Sequence, residues 1–181
     1  MTRAITAAAD PGALALAELK AWLAISTPHE DEALAALVAT ALAMCEAFTG
    51  QVPLLCGLRE TIAPAAGWTA LSPRPVRAIT GVAALTANGD DIILAPDAYE
   101  IDIDADGTGR IRLRRSIPQR RIAVDLTAGL AAEWSGLPDT LRHGVIRLAA
   151  ALYRQRDNGD LTAPPSAVAA LWRPFRRMRL T

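Results

Sequence analysis

Cysteine, histidine and lysine are scarce in this chain. Its 181 residues include two cysteines, Cys45 and Cys56, two histidines, and a single lysine, Lys20, among 19 basic residues. Two cysteines cannot build the disulfide framework of a small secreted protein. Hydrophobic residues make up 51% of the chain, which is enough for a core that folds without a disulfide or a metal.

Long apolar runs are also missing. The longest such stretch, Ala33 to Cys45, is shorter than a bilayer span and has an amphipathic rhythm. The first ten residues lack the leucine-rich core of a signal peptide. We therefore expect no membrane contact, synthesis in the cytoplasm, and cysteines that stay reduced and buried.

Charge is balanced overall but divided between the two ends of the chain. The sequence carries 19 basic and 19 acidic residues, which excludes both a wholly cationic nucleic-acid coat and a generic acidic disordered protein. Residues 1–109 hold 14 acidic and 5 basic residues, whereas residues 110–181 hold 5 and 14. This asymmetry favours either different partners at the two ends, or copies that meet head to tail, or pairing within the chain.

Hydrophobic periodicity predicts an α+β fold. Helices are expected over 13–25, 28–49 and 138–156, and a capping box formed by Thr27 and Glu30 is expected to begin the second. Residues 52–132 are punctuated by proline and glycine, which is typical of strands. We predict a mainly helical body, with an N-terminal helical pair and a long C-terminal helix, an inserted small antiparallel β unit and a basic C-terminal tail.

Alternating residues predict a hairpin between Tyr99 and Arg114. Candidate strands are Leu58–Ala63, Val76–Leu85, Asp91–Leu94, Tyr99–Asp104, Arg110–Arg114 and Ile122–Leu126. In the hairpin, three acidic residues are expected to face three arginines across the strands, namely Glu100, Asp102 and Asp104 against Arg110, Arg112 and Arg114. The aspartates around Gly107 resemble the start of a calcium-binding loop, but position twelve of that loop is Leu113 instead of a carboxylate. A hairpin turn is therefore the better interpretation.

The sequence carries no motif for catalysis or cofactor binding. His29 and His143 have no second ligand at metal-binding spacing, and no serine or cysteine lies in a nucleophile elbow. Gly107-Thr108-Gly109 lacks the lysine and the helix of a phosphate-binding loop. We therefore expect no enzyme activity, no cofactor and no metal.

The C-terminal segment combines arginines with large apolar residues. A short helix is expected over Ser166 to Trp172, broken at Pro174. The segment of interest contains Trp172, Arg173, Phe175, Arg176, Arg177, Met178, Arg179 and Leu180. Because few residues follow Pro174, we expect these apolar side chains either to fold back on the body or to dock into another protein, and the docking prediction requires that Trp172 and Phe175 find no cover within their own chain. Tryptophan, phenylalanine and arginine often anchor interfaces, so residues 161–181 are predicted to dock on a partner, with residues 1–160 as the body. The alternative is DNA binding by the arginine-rich helix and tail.

The order of these features resembles the head–tail connector, or adaptor, family of tailed phages and gene transfer agents. The resemblance covers nearly the whole chain and depends on order and spacing. It rests on the segments 45–50 (CEAFTG), 71–76 (LSPRPV), 79–82 (ITGV), 95–102 (APDAYEID), 109–111 (GRI), 124–129 (VDLTAG), 137–138 (LP), 151–153 (ALY) and 171–176 (LWRPFR).

The resemblance implies a structural role in a virion or phage-like particle. Members of this family form a ring, typically of twelve copies, at the head–tail junction between the portal protein and the stopper or tail-terminator protein. DNA passes through the lumen without specific binding. The family's C-terminal segment commonly reaches the portal, so the resemblance assigns portal binding to the segment that begins at Trp172.

Overall fold

The computed structural model describes residues 2–155 and 163–176. The chain divides into two compact units. The sheet unit comprises Met1–Ala9 and Leu55–Leu130, and the helical unit comprises Asp10–Leu54 and Ala131–Thr181. Four α-helices and two antiparallel sheets occur in the described residues, which confirms the α+β class. The expectation of a mainly helical body is not supported, because strands form a large share of the described chain.

Four α-helices form the helical unit in the described part of the chain. They are α1 (Gly12–Leu23), α2 (Asp31–Thr49), α3 (Asp139–Arg154) and α4 (Ser166–Trp172). The predicted positions of α1 and α3 are correct to within two residues, and those of α4 match. Leu141, Val145 and Leu148 form the predicted buried stripe of α3. The predicted division between body and docking segment falls within residues 156–162, outside the described residues.

The predicted capping box before α2 is wrong. The helix begins at Asp31, Glu30 occupies the cap position, and no side-chain hydrogen bond closes the first turn. The Glu30 carboxylate instead accepts a hydrogen bond of 2.6 Å from the Tyr153 hydroxyl at the end of α3. Glu30 is therefore used to join two helices that are distant in sequence.

The α2 helix is apolar because its buried stripe packs within the helical unit. Its length and mean hydropathy of 1.5 would suffice for a membrane span. Leu34, Val38, Ala41 and Cys45 are buried, however, and α2 packs against α3. This packing accounts for the apolar character of the helix.

Two antiparallel sheets form the sheet unit. The strands are β1 (Thr2–Ala7), β2 (Cys56–Ile62), β3 (Thr69–Ala70), β4 (Val76–Leu85), β5 (Asp91–Ile93), β6 (Tyr99–Ile103), β7 (Gly109–Leu113) and β8 (Arg121–Ala128). The larger sheet has the order β1-β2-β8-β4-β5, and the smaller has the order β3-β7-β6. All six predicted strands are present with small changes at their ends, whereas β1 and β3 were not predicted.

The predicted hairpin is confirmed by the pairing of β6 with β7. Glu100 lies opposite Arg112 in the register, and Asp102 lies opposite Arg110. The Arg112 Nε donates to Glu100 at 2.6 Å, and the Nε of Arg114 lies 3.0 Å from the other Glu100 oxygen. Arg110 forms an ion pair with Asp104. Of the three aspartates in the calcium-like pattern, Asp104 is therefore held in an ion pair with an arginine.

A second charge cluster crosses the larger sheet. Arg59 on β2 donates two hydrogen bonds of 2.7 Å to Asp125 on β8, and a third of 2.7 Å to Asp91 on β5. These hydrogen bonds, led by those to Asp125, raise the pKa of the Arg59 guanidinium. Gly81 lies on the intervening strand β4, opposite Asp125, and no side chain there blocks the reach of Arg59. The cluster links three strands through one side chain.

Candidate docking segment

Trp172 is the fixed base of the C-terminal segment. It ends α4, is fully buried, and its indole nitrogen donates a hydrogen bond of 3.3 Å to the Leu141 carbonyl of α3. Its ring lies 6.0 Å from the ring of Phe48 on α2, in a tilted arrangement. Trp172 therefore attaches the short α4 helix to both α2 and α3.

Gly144 provides the space that the indole fills. A Cβ atom at this position would lie 2.2 Å from the Trp172 Nε1 atom, closer than real Cβ contacts allow. Glycine is costly inside a helix, so its presence in the middle of α3 has a packing reason. The pair explains how a seven-residue helix is held against a longer one.

The chain after Trp172 is held by two further contacts. Arg173–Phe175 forms a turn of 3₁₀ helix, and the buried Gln51 amide donates a hydrogen bond of 2.5 Å to the Phe175 carbonyl. The Arg176 guanidinium lies 5.6 Å from the centre of the Phe48 ring, within range of a cation–π interaction. These contacts fix the point from which residues 177–181 continue.

The structure corrects the expectation that the segment's apolar residues lack cover in their own chain. Trp172 is buried within its own helical unit, and Phe175 is half-buried. Arg173 and Arg176 are exposed. The remaining predicted docking residues, Arg177, Met178, Arg179 and Leu180, lie outside the described residues. The sequence suggested an exposed tryptophan because the Gly144 recess and the Phe48 contact arise only when distant helices pack.

An open groove of about 690 Å³ lies beside α4 in the helical unit. Leu171 contributes to it, and so do Trp22 of α1 and His143 of α3, whose rings meet edge to face at 5.3 Å. Charge lines its rim, where the Arg142 Nε lies 3.6 Å from the Glu18 carboxylate. The groove has an apolar wall, and the charged side chains of Arg142 and Glu18 at its rim pair with each other. Such a groove is better suited to packing against another surface than to catalysis.

The described residues show no arrangement for metal binding. No group of three or more histidine, cysteine, aspartate or glutamate side chains is placed to hold an ion within residues 2–155 and 163–176. His29 lies in an exposed turn, and His143 packs on Trp22. The Asp106 carboxylate accepts a hydrogen bond of 2.9 Å from the Thr108 amide, as in a tight turn. His143 and Asp106 thus have structural contacts.

Solved structures of gene transfer agent particles contain chains with the same fold. A chain from the neck of an empty particle, computed with C6 symmetry, has a TM-score of 0.82 and 28% sequence identity, covering 100% of this chain and 98% of that one. A chain from the neck of a native particle, computed with C12 symmetry, has a TM-score of 0.78 at the same identity and coverage. A chain from the virion of a native gene transfer agent has a TM-score of 0.76, again at 28% identity.

No protein-family model and no curated protein matches the sequence. The full-length similarity to neck chains nevertheless confirms the resemblance to head–tail connectors of gene transfer agents. It also supports the predicted location at the head–tail junction of a phage-like particle.

Proposed function

We propose that this chain is a structural head–tail adaptor, which forms a ring between the portal and the stopper or tail of a phage-like particle. The observation that carries the proposal is the full-length similarity to chains from gene transfer agent necks. Those necks were computed with C6 and C12 symmetry, which supports a ring of copies. The role requires surfaces for assembly and requires no catalytic group.

The docking surface begins after Trp172. In this proposal, Trp172 fixes α4 to the body, and the residues from Arg173 onward contact the portal. Exposed Arg173 and Arg176 flank the half-buried Phe175 in the sequence, and the Arg176 guanidinium lies 5.6 Å from the centre of the Phe48 ring. Such a combination suits a portal groove with an apolar floor and acidic rim. Arg177, Met178, Arg179 and Leu180 extend the same alternation of basic and apolar residues.

Repetition around the ring compensates for a small contact in each copy. A short segment that orders on binding loses conformational entropy, which lowers its affinity at a single site. Once one copy is bound, its neighbours present their segments at high effective concentration. A ring can thus hold firmly to the portal through segments that bind weakly one by one.

Deletion of residues 177–181 tests the docking role. The deletion leaves Trp172, Gln51 and their contacts intact, so the thermal unfolding midpoint should stay within a few degrees of the full chain. Electron microscopy of purified portal mixed with the truncated protein should show portals without the added ring that the full chain forms. Formation of the ring at full occupancy would contradict the docking role.

Charge reversal separates local contacts from general electrostatics. Arg176→Glu, in the docking segment, should reduce portal binding by at least tenfold. The matched control is Arg115→Glu in the sheet unit, where the side chain is 78% exposed and lies 4.0 Å from Asp97 at its closest. If both variants lose binding equally, the effect belongs to net charge and the assignment of the segment is wrong.

The alternative function, DNA binding by the arginine-rich helix and tail, has weaker support. Arg142 of α3 is already engaged with Asp139 at 2.9 Å and with Glu18. A phosphate-binding face would leave such groups available and would show an affinity that falls steeply with salt. We expect weak binding to a free duplex in fluorescence anisotropy at 50 and 200 mM salt; tight, salt-sensitive binding would favour the alternative.

A further inference from the structure

Four arginines lie close together where β7 is joined to β8. This segment, residues 114–121, has the sequence RRSIPQRR and contains no acidic residue. We call it the arginine loop. All four of its arginines are exposed. Both ends are fixed, because the Arg114 amide donates a hydrogen bond of 2.9 Å to the Ala98 carbonyl, and Arg121 pairs with Leu85 in the larger sheet. The loop therefore presents its charge from a defined place in the sheet unit.

Most of the charge on the arginine loop is not cancelled by neighbouring acids. Arg114 has a close acidic partner, at 3.0 Å. Arg115 lies 4.0 Å from Asp97, and the two side chains are 78% and 72% exposed, so this pair is weak. The side chains of Arg120 and Arg121 have no hydrogen bond or ion pair with any residue that the structure describes. Two adjacent guanidinium groups are thus available to a ligand.

Two clefts of the sheet unit lie along the arginine loop. The larger, of about 470 Å³, is lined in part by residues 118–121, and the smaller, of about 160 Å³, by residues 113–117. Two adjacent arginines line each cleft, and neither lining includes an acid among the described residues. Asp90 lies in the same turn as Thr86 of the larger cleft, whose hydroxyl donates to it at 3.4 Å. Each cleft is therefore suited to an anion.

The lining of both clefts fits phosphate groups better than a protein partner. Large apolar and aromatic side chains anchor most protein interfaces. None of the exposed large hydrophobic residues in the described part of the chain lines either cleft. Surfaces that bind nucleic acid are more polar and more positively charged, and a guanidinium can donate two parallel hydrogen bonds to one phosphate. The described linings also include no aromatic ring on which an unpaired base could stack, which favours a duplex.

We infer that the arginine loop binds the phosphate backbone of duplex DNA, without selection for base sequence. Its two arginine pairs lie at opposite ends of an eight-residue segment, so they suit a ligand with repeated negative charges. The site belongs to the sheet unit and uses neither the docking segment nor the arginine-rich helix of the alternative function. So few cationic contacts make a weak site in a single copy, in keeping with the weak duplex binding expected of this chain.

The salt dependence of binding counts the phosphate contacts. The logarithm of the binding constant falls against the logarithm of salt concentration with a slope of about −0.9 for each phosphate neutralised. The full chain is titrated into a fluorescent duplex of mixed sequence, with anisotropy read between about 20 and 200 mM salt. Arg120→Gln combined with Arg121→Gln should make the slope shallower by about 1.8 and should weaken binding at the lowest salt by about tenfold or more. An unchanged slope would overturn the inference.

A matched control removes the same charge from α3. Arg147→Gln combined with Arg154→Gln also deletes two arginines, and neither side chain has a hydrogen bond or ion pair with another described residue. This variant should keep the slope and the affinity of the parent chain. An equal loss in both variants would assign the effect to net charge and overturn the inference. A larger loss in the α3 variant would also overturn it and would favour the alternative function.

Two further measurements separate the loop from other partners. Polyglutamate carrying as many charges as the duplex should displace it poorly, and complete displacement would assign the loop to an acidic protein segment instead of DNA. The Arg120/Arg121 variant should still add a ring to purified portal in electron microscopy, because the docking segment is unchanged. Loss of that ring would place the loop in portal docking and would contradict its assignment to DNA.

Discussion

Trp172 and Gly144 illustrate how a single pair of residues can fix the base of a functional segment. The indole takes the place of a side chain on α3 and hydrogen-bonds to the helix backbone at Leu141. Its burial in the body means that substitutions at Trp172 act first on stability. Loss of portal binding in a Trp172→Ala variant would therefore not identify a contact with the portal.

We predict that Gly144→Ala destabilises the helical unit by about 2 kcal/mol, because the new methyl group would clash with the indole and such overpacking costs about 1–3 kcal/mol. Urea denaturation should show a lower midpoint. In a Trp172→Leu background the same substitution should cost much less, since the side chain that it meets is smaller. Equal costs in the two backgrounds would contradict the contact.

Cys45 and Cys56 should differ in their reaction with a thiol reagent. The pKa of the Cys45 thiol is raised to about 12, and burial is the largest cause of this shift. Cys56, in contrast, is half-buried. The thiolate is the reactive form, so at pH 8 the native chain should react at Cys56 and react at Cys45 only after unfolding. Mass spectrometry after alkylation measures this directly. Rapid labelling of Cys45 in the folded chain would show that the helical unit is less closed.

The same thiol makes stability depend on pH in the alkaline range. Its pKa is raised from 9.0 to about 12 on folding, so the folded state holds this proton more tightly. The resulting contribution is complete below pH 9 and is lost as the pH rises through 12. A Cys45→Ala variant should show a smaller loss of stability between pH 9 and pH 11 than the parent chain.

Sequence reasoning cannot find residues whose role is defined by distant partners. Glu60 lies on β2 and is fully buried, and one of its carboxylate oxygens accepts a hydrogen bond of 2.9 Å from the Ser72 amide. A glutamate in a strand gives no signal that it will be buried. The same applies to Glu30, whose spacing from Thr27 fits a cap, although its carboxylate bonds to Tyr153.

Among the elements, the β6–β7 hairpin was predicted in most detail. Its signal was local, because alternating isoleucines, alternating charges and a glycine-containing turn all lie within sixteen residues, between Tyr99 and Arg114. Strand β1 was missed for the opposite reason. Its partner β2 begins about fifty residues later, and the short sequence TRAITA has little hydrophobic alternation.

The turn of this hairpin gives a prediction with a matched control. Gly107 has a φ of 78°, and a Cβ atom there would lie 2.3 Å from the Pro75 Cβ, whereas Gly89 has a φ of 93° with open space around it. Alanine at either position incurs backbone strain of about 1 kcal/mol. Gly107→Ala should cost about 1–3 kcal/mol more, through the clash with Pro75. Equal thermal shifts in the two variants would contradict this contact.

For the whole molecule, the opposite charges of the two sequence halves are partly paired within the chain. Arg110 pairs with Asp104, Arg112 and Arg114 both pair with Glu100, and the Arg142 Nε lies 3.6 Å from the Glu18 carboxylate. Each exposed pair adds little to stability. The uneven distribution of charge along the chain therefore does not by itself show that copies meet through opposite charges.

A reconstruction of the portal with this chain bound tests the central claim most directly. We predict a ring of copies on the portal, in which Trp172 stays buried in its own subunit while Phe175, Arg176 and the residues that follow lie against the portal surface. A ring that meets the portal through another face, with no density of the C-terminal segment on the portal, would contradict the account.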